Sequence, residues 1–162
     1  GGNKVKRTGK GEYVADLVVS TPREIEVVVS AEMDTGTREM GRMKFRVKSL
    51  PEPSITFRGE KHLVQASPFE IVNSSIRPQY ANDFLFDLPL TLVSYTVVHQ
   101  KRNNGSSFPR GGKKGRLSEE KDIRLMVEAA KLNETLWIED VKVKDVNGKI
   151  WSCNSVKIKI SR

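Results

Sequence analysis

A strand-like run that ends in two prolines constrains the fold of this chain more than any other feature. Phe45 and Val47 alternate with basic residues, which is the period-two pattern of a strand with one buried face. Pro51 and Pro53 follow, and because each fixes φ and lacks a backbone donor, the strand must stop before them. The sequence therefore predicts a domain boundary here, with residues 50–53 acting as a stiff proline linker.

The segment before the linker, residues 1–49, is too short for a complete sandwich. It contains three strand-like runs, at residues 11–20, 23–33 and 38–48. An immunoglobulin-like sandwich needs about seven strands, so three strands leave apolar faces and sheet edges uncovered. We predict that residues 1–49 are the C-terminal part of an immunoglobulin-like β domain that begins upstream. A swapped or dimeric arrangement is the other explanation.

Residues 54–162 are predicted to form a C-terminal β-rich domain with one or two short helices. Ser67 and Glu70 have the spacing of a capping box around Pro68, which predicts a helix that ends near Asn73. A second helix is predicted over residues 118–132, where acidic residues precede an apolar stripe at helical spacing.

Strands are predicted on both sides of the second helix. Residues 84–99 alternate apolar and polar side chains, although Pro89 indicates an edge strand or a bulge. Residues 136–146 and 149–160 are predicted to form a hairpin around Asn147-Gly148, the strongest short signal for a type I′ turn. The predicted fold class is therefore mainly β: a partial immunoglobulin-like β-sandwich plus a C-terminal β-sandwich-like domain with one or two short helices.

The positive charge of the chain is concentrated in one segment. The formal net charge is +8, and residues 88–118 contain no acidic residue. This segment is either a solvated loop or an arm that docks on an acidic surface. Nucleic acid is the less favoured partner, because only Phe108 could stack on a base and no RRM, KH or helix-turn-helix signature is present. The candidate interaction residues of this basic loop are Lys101, Arg102, Arg110, Lys113, Lys114 and Arg116.

The sequence predicts no catalytic residue, no cofactor and no metal ligand. The glycine- and lysine-rich run at residues 111–116 lacks the spacing of a P-loop, and His62 and His99 lie in no metal-binding motif. A two-residue turn in the final hairpin would pair Lys142 with the single cysteine, Cys153, on a packing surface. We therefore predict that the chain is not an enzyme. No apolar run approaches the ~20 residues needed to span a bilayer.

Several segments together resemble the C-terminal periplasmic region of the GldM and PorM family of gliding motility and type IX secretion. The resemblance covers nearly the whole chain, and its most specific parts are the junction at residues 45–53 and the final hairpin from Trp137 to Lys149. It also includes Gly11-Glu-Tyr, residues 28–34, Met40-Gly, residues 84–95 and Leu117-Ser. The resemblance implies β-sandwich domains in the periplasm or cell envelope, a homodimer, and an inner-membrane helix upstream. It also implies contacts with outer-membrane-associated ring components.

The function predicted from these observations is a non-enzymatic structural and protein-interaction module of a bacterial cell-envelope assembly. The alternative is a basic domain that binds a polyanion, a nucleic acid or a glycan. Salt sensitivity distinguishes the two, because binding to a polyanion weakens steeply as salt is added.

Overall fold

The computed structural model describes residues 5–15, 17, 23–102 and 105–162. The chain divides into two compact units, Gly1–Leu50 (unit 1) and Pro51–Arg162 (unit 2). The prediction of a mainly β fold is confirmed, since strands outnumber helices in both units. Within the described ranges, no helix is long and apolar enough to cross a membrane.

Unit 1 consists of two antiparallel strand pairs in its described part. Strands β1 and β2 form one two-stranded sheet, and the longer β3 and β4 form another. Their bounds are Val5–Gly9 (β1), Glu12–Ala15 (β2), Arg23–Met33 (β3) and Gly36–Val47 (β4). The predicted run at residues 11–20 corresponds to β2, but residues 16 and 18–20 lie outside the described residues. Strand β1 was not predicted; it pairs with β2 across a turn where Gly11 has φ +77°. The immunoglobulin-like assignment stays a prediction.

Unit 2 is built on one large sheet and one small sheet. The large sheet has the order β6-β12-β10-β8-β9, with β11 also paired to β10, and the small sheet pairs β5 with β7. All pairings are antiparallel except β6 with β12. The strands are Ser54–Phe57 (β5), Leu63–Ala66 (β6), Ile76–Gln79 (β7), Thr91–Gln100 (β8), Arg110–Gly112 (β9), Thr135–Lys144 (β10), Ile150–Ser152 (β11) and Val156–Ile160 (β12). The helices are Pro68–Val72 (α1) and Lys121–Glu128 (α2), with a 3₁₀ turn at Leu117–Glu119.

All buried apolar side chains among the described residues belong to unit 2. Alternate residues of β8, β10 and β12 are buried, so one face of the large sheet points into the core. That face packs in one cluster with apolar residues of α1, α2, β5 and β7, including Ile71, Val127, Phe57 and Ile76. Unit 2 therefore has a hydrophobic core of its own.

The predicted first helix is confirmed, including its capping box. The backbone N–H of Glu70 donates to Ser67 Oγ at 3.3 Å, and the backbone N–H of Ser67 donates to Glu70 Oε2 at 2.8 Å. Pro68 occupies the first helical turn, where no backbone donor is needed.

The prediction for the second helix was too long at both ends. Glu120 has an extended backbone and therefore separates the 3₁₀ turn from α2. Its side chain accepts hydrogen bonds from two backbone N–H groups of the preceding loop, which holds the residue in this conformation. The helix ends at Glu128, and Asn133, with φ +66°, lies in the turn that follows. The residues predicted as the last turn, 129–132, therefore lie outside the helix.

The prediction of a strand over residues 84–99 was wrong in its first half, because β8 begins only at Thr91. A turn precedes it, in which the backbone N–H of Phe84 donates to the carbonyl of Ala81 at 2.9 Å. Aromatic rings pack against one another in tilted pairs, with centroids of Tyr80 and Phe84 4.8 Å apart and those of Phe84 and Phe86 5.5 Å apart. Pro89 removes a ladder donor, so the strand can start only after it.

The final hairpin is present, but the predicted turn type and register were wrong. Val143 pairs with Trp151 and Lys142 with Ser152, one residue away from the predicted pairing. Only Gly148 of the turn has positive φ, at +82°, and its N–H donates to the Asp145 carbonyl at 3.0 Å. This is a type I turn followed by a left-handed glycine, which gives a three-residue loop in place of a two-residue one. The hydrogen bonds of the Asp145 side chain select this loop.

Candidate functional site

The hairpin of β3 and β4 presents an exposed apolar surface. Ile25 pairs with Phe45 and Val27 with Met43, and residues paired across a ladder share one face of the sheet. Val29, two residues beyond Val27, extends the same face. Val29 is 59% exposed and Met43 61% exposed. We call this surface the apolar hairpin face; it consists of Ile25, Val27, Val29, Met43 and Phe45.

The opposite face of the same hairpin is charged. Arg42 donates from Nη1 to Glu26 Oε2 at 2.8 Å and from Nη2 to Glu39 Oε2 at 2.9 Å. The hydrogen bond from Arg42 holds the pKa of Glu39 below its usual value. One face of the hairpin is therefore suited to water and the other to a partner surface. In the described part of the chain, β3 and β4 pair only with each other, which leaves both outer edges open.

The structure separates the six predicted basic-loop residues. Residues 110–112 are not loop, because β9 pairs with β8 in the large sheet. Lys101 and Arg110 border a cleft beside His99, whereas Lys113 and Lys114 border a depression over Tyr95. Arg116 lines a third cavity, and Arg102 is exposed in the turn after β8. Asn103 and Asn104 of the predicted loop lie outside the described residues. The six cations therefore do not form one continuous arm.

The cleft beside His99, the His99 cleft, has a polar floor. His99 and Glu134 are 4% and 7% exposed, and His99 Nε2–H donates to Glu134 Oε2 at 2.8 Å. The backbone N–H of Lys131 also donates to Glu134 Oε2 at 2.8 Å. This backbone hydrogen bond and the His99 side chain lower the pKa of Glu134, while burial opposes the shift. Glu134 is thus an ionised, fully engaged carboxylate.

The lining of the His99 cleft combines apolar side chains with more cations than anions. The cavity has a volume of about 450 Å³, and its lining includes Phe108, Leu125 and Met126 together with the basic Lys101, Arg110 and Lys131 and the acidic Asp122. Such a groove fits a segment that carries both apolar and acidic side chains.

The geometry of the His99 cleft does not assemble a nucleophile and its base. Ser107 Oγ donates to the backbone carbonyl of His99 at 3.3 Å and accepts from its backbone N–H at 3.2 Å, so the hydroxyl is bound to backbone and not to the imidazole ring. Glu134 holds Nε2 of the ring, and in the described part of the chain no hydrogen bond joins a Ser, Thr or Cys side chain to this imidazole.

The depression over Tyr95 is organised by Glu120. Its Oε1 accepts from the backbone N–H groups of Lys113 and Lys114 at 2.8 and 2.9 Å. These two hydrogen bonds lower the pKa of Glu120. Tyr95 is 2% exposed and donates from its hydroxyl to the Lys114 carbonyl at 2.9 Å; burial raises the pKa of this phenol. The two lysines are thus held on a fixed backbone.

The third cavity combines three arginines from distant parts of the chain. Arg58 follows β5, Arg77 lies in β7, and Arg116 precedes the 3₁₀ turn. They line an open cavity of about 640 Å³. We call this surface, defined by Arg58, Arg77 and Arg116, the arginine face. Of these three arginines, Arg116 alone was a predicted site residue; the signal for Arg77 was the alternation of polar and apolar residues in β7.

The remaining candidate residues lie away from these cavities. Pro51 and Pro53 begin unit 2, and Pro53 is buried, with its carbonyl accepting from Cys153 Sγ at 3.5 Å. Burial raises the pKa of the Cys153 thiol, so the group is a neutral packing element. His62 is exposed, and its carbonyl accepts from the Lys157 N–H at 2.8 Å. Among the described residues, no three His, Cys, Asp or Glu side chains cluster as metal ligands would.

No protein-family model matches the sequence, and a comparison with curated proteins gives no significant match.

Proposed function

We propose that the chain is a non-enzymatic structural and protein-interaction module of a bacterial cell-envelope assembly and that it works as a homodimer. The envelope location and the ring-component partners follow from the resemblance to GldM and PorM. The interaction role is supported by the apolar hairpin face. This face belongs to unit 1, in which none of the described residues is buried.

A second copy of the chain is the occupant that fits this face. The ladder pairs residues from Arg23 to Met33 with residues from Val47 to Gly36, which is about 36 Å of hairpin at ~3.3 Å per residue. Two such ribbons, stacked face to face about 10 Å apart, would form a two-layer sandwich with both apolar faces inside. The Glu26–Arg42–Glu39 ion pairs would stay in water on the outside.

The His99 cleft supports a second contact, with acidic segments of other envelope proteins. Its apolar walls supply anchoring area, while Lys101 and Arg110 favour carboxylates by charge complementarity. Because both cations are exposed, they would contribute more to association rate and selectivity than to affinity.

Sedimentation equilibrium of the whole chain tests the dimer. We expect twice the chain mass at micromolar concentration. Val27→Glu should raise the dissociation constant at least about hundredfold, because it would place an unpaired charge in a dry interface. Val28→Glu is the matched control: Val28 is 43% exposed against 40% for Val27, but it pairs with Arg42 on the charged face.

Two results would contradict the proposal. One is a monomer at about 100 μM for the unmodified chain. The other is an equal loss of dimer in Val27→Glu and Val28→Glu, which would mean that the added charge itself, and not the face on which it lies, weakens the association.

A further inference from the structure

The arginine face is positioned by the backbone of the β5–β7 strand pair. In β5 and β7, Ile55, Phe57 and Ile76 are 0–3% exposed and point into the core. Thr56, between Ile55 and Phe57, and Arg77, next to Ile76, therefore lie on the opposite face of the strand pair and pair directly across the ladder, although Thr56 is itself only 4% exposed. The Thr56 hydroxyl donates to the Arg77 carbonyl at 3.4 Å. Arg77 thus lies in a hydrogen-bonded strand pair and not in a loop.

Arg116 is attached to the same strand pair by the backbone. An isolated antiparallel bridge pairs Arg116 with Ser75, the residue before β7. The N–H of Ile76 donates to the Gly115 carbonyl at 2.9 Å, and the N–H of Leu117 donates to the Ser74 carbonyl at 3.4 Å. Because bridged residues share a face, the bridge places Arg116 beside Arg77.

The positive charge of this face is poorly compensated. Arg58 donates to Glu70 at 2.8 Å through Nη2 alone, so its other guanidinium donors stay available. Arg77 and Arg116 make no ion pair with any carboxylate in the described part of the chain. Among the residues that the structure describes, Glu119 is the only carboxylate that lines the cavity with the three guanidinium groups. Arginine presents a planar fork of donors that matches the paired oxygens of a tetrahedral or carboxylate anion.

The rest of the lining indicates what else the ligand carries. It consists of hydroxyl, amide and glycine residues, namely Thr56, Gly59, Asn73, Ser74, Ser75 and Gln79. Hydroxyl and amide groups both donate and accept, as the hydroxyls of a polyol do. Within the described ranges, the lining contains no aromatic residue on which a nucleobase could stack. The same described lining contains no aliphatic side chain that could hold an apolar anchor residue of a peptide.

We propose that the arginine face binds a phosphate or sulfate ester of a sugar or polyol. The oxyanion group binds between Arg77 and Arg116, and the ligand hydroxyls bind the side chains of Ser75 and Gln79. The neighbouring Ser74 Oγ and Asn73 Nδ2 already donate to backbone carbonyls, at 2.6 and 2.9 Å. The cavity volume of about 640 Å³ falls in the range of small-molecule sites, about 300–1,000 Å³, and exceeds what a bare oxyanion needs. This site is separate from the surfaces that carry the proposed function, so either can fail without the other.

An NMR titration of the whole chain tests the proposal, with glucose, glucose 6-phosphate, glucose 6-sulfate and inorganic phosphate as probes. We expect one or both esters to shift the amide resonances of Ser74 and Ser75, and the tighter ester identifies the anion. Each ester that binds should do so at least about tenfold more tightly than glucose or inorganic phosphate. Arg77→Gln and Arg116→Gln should each weaken ester binding about tenfold, because each removes a guanidinium group that donates two charge-assisted hydrogen bonds.

Arg110→Gln is the charge-matched control, since Arg110 is also exposed but lines the His99 cleft. Equal weakening by Arg110→Gln and Arg77→Gln would overturn the proposal in favour of unspecific charge attraction. If inorganic phosphate binds as tightly as the esters, the proposal that the hydroxyls of a sugar or polyol contribute to binding is wrong. A single-stranded oligonucleotide that displaces the esters and binds more tightly would overturn the assignment in favour of nucleic acid. Resonance shifts confined to other residues would show that the site is wrong.

Discussion

Removal of the Asp145 carboxylate tests whether this side chain organises the final hairpin. Asp145 is 6% exposed and accepts three hydrogen bonds. Two come from the backbone N–H groups of Asn147 at 2.8 Å and Lys149 at 3.0 Å, and the third comes from Trp151 Nε1 at 2.8 Å. Hydrogen bonds to a charged group contribute about 1.5–3 kcal/mol each, but water can replace the carboxylate at the two exposed turn amides.

We therefore expect Asp145→Ala to lower the free energy of unfolding of unit 2 by about 2–3 kcal/mol, chiefly through the half-buried indole N–H. Asp145→Asn keeps an acceptor and should cost about 1 kcal/mol. Urea unfolding followed by tryptophan fluorescence measures unit 2 alone, because both tryptophans, Trp137 and Trp151, belong to it. Asp87→Ala, at an exposed loop position, is the control and should change stability by less than about 0.5 kcal/mol.

The pH dependence of the same variants gives an independent check. Burial raises the pKa of Asp145, but the hydrogen bonds from Trp151, Lys149 and Asn147 outweigh it and lower the pKa below its usual value. A carboxyl whose folded-state pKa is lowered stabilises the fold above its unfolded pKa of about 3.9, and this stability is lost as the pH falls through the folded value. The difference between the unmodified chain and Asp145→Asn should therefore shrink below about pH 4. If Asp145→Ala is as stable as Asp87→Ala at pH 7, the reasoning is refuted.

Two further substitutions test the packing of unit 2. Gly112→Ala should destabilise it by about 2 kcal/mol or more, because the new Cβ would lie 2.3 Å from Cζ of the buried Tyr95 ring; Gly111→Ala, whose Cβ would meet nothing closer than 4.0 Å, should be neutral in the same urea unfolding experiment. Asn154→Ala should cost about 2 kcal/mol, since it leaves the N–H of fully buried Ile55 without its 2.8 Å acceptor and the Lys61 carbonyl without its 2.6 Å donor. Asn82→Ala, at an exposed position, is the comparison, and equal midpoints for the two asparagine variants would contradict the role of Asn154.

Local signals in the sequence predicted local structure well. The spacing of Ser67, Pro68 and Glu70 determines a helix start by itself, because all its partners lie within one turn. Alternation predicted β3 and most of β4 for the same reason, since a period of two needs no knowledge of distant residues. Predictions from these signals were wrong where a side chain forms hydrogen bonds outside its own helix or strand. Asp145 redirected the hairpin turn, and Glu120 interrupted a helix by binding two amides of a preceding loop.

The candidate sites were less predictable than the fold, because they join residues that are far apart in the sequence. The basic loop looked continuous in the sequence, yet pairing of β9 with β8 separates Lys101 and Arg110 from Lys113 and Lys114. The arginine face depends on a single backbone bridge, from Ser75 to Arg116, that no composition or periodicity indicates.

The parallel pairing of β6 with β12 has a consequence for synthesis of the protein. Strand β6 ends at Ala66, and its partner does not begin until Val156, some 90 residues later. At about 5–20 residues per second, translation needs roughly 5–20 seconds to supply that partner. During this interval β6 has no neighbour through which it can join the large sheet, and the long loop must then close against chain entropy. The nascent chain therefore exposes apolar surface long enough for a chaperone to bind it before unit 2 can fold.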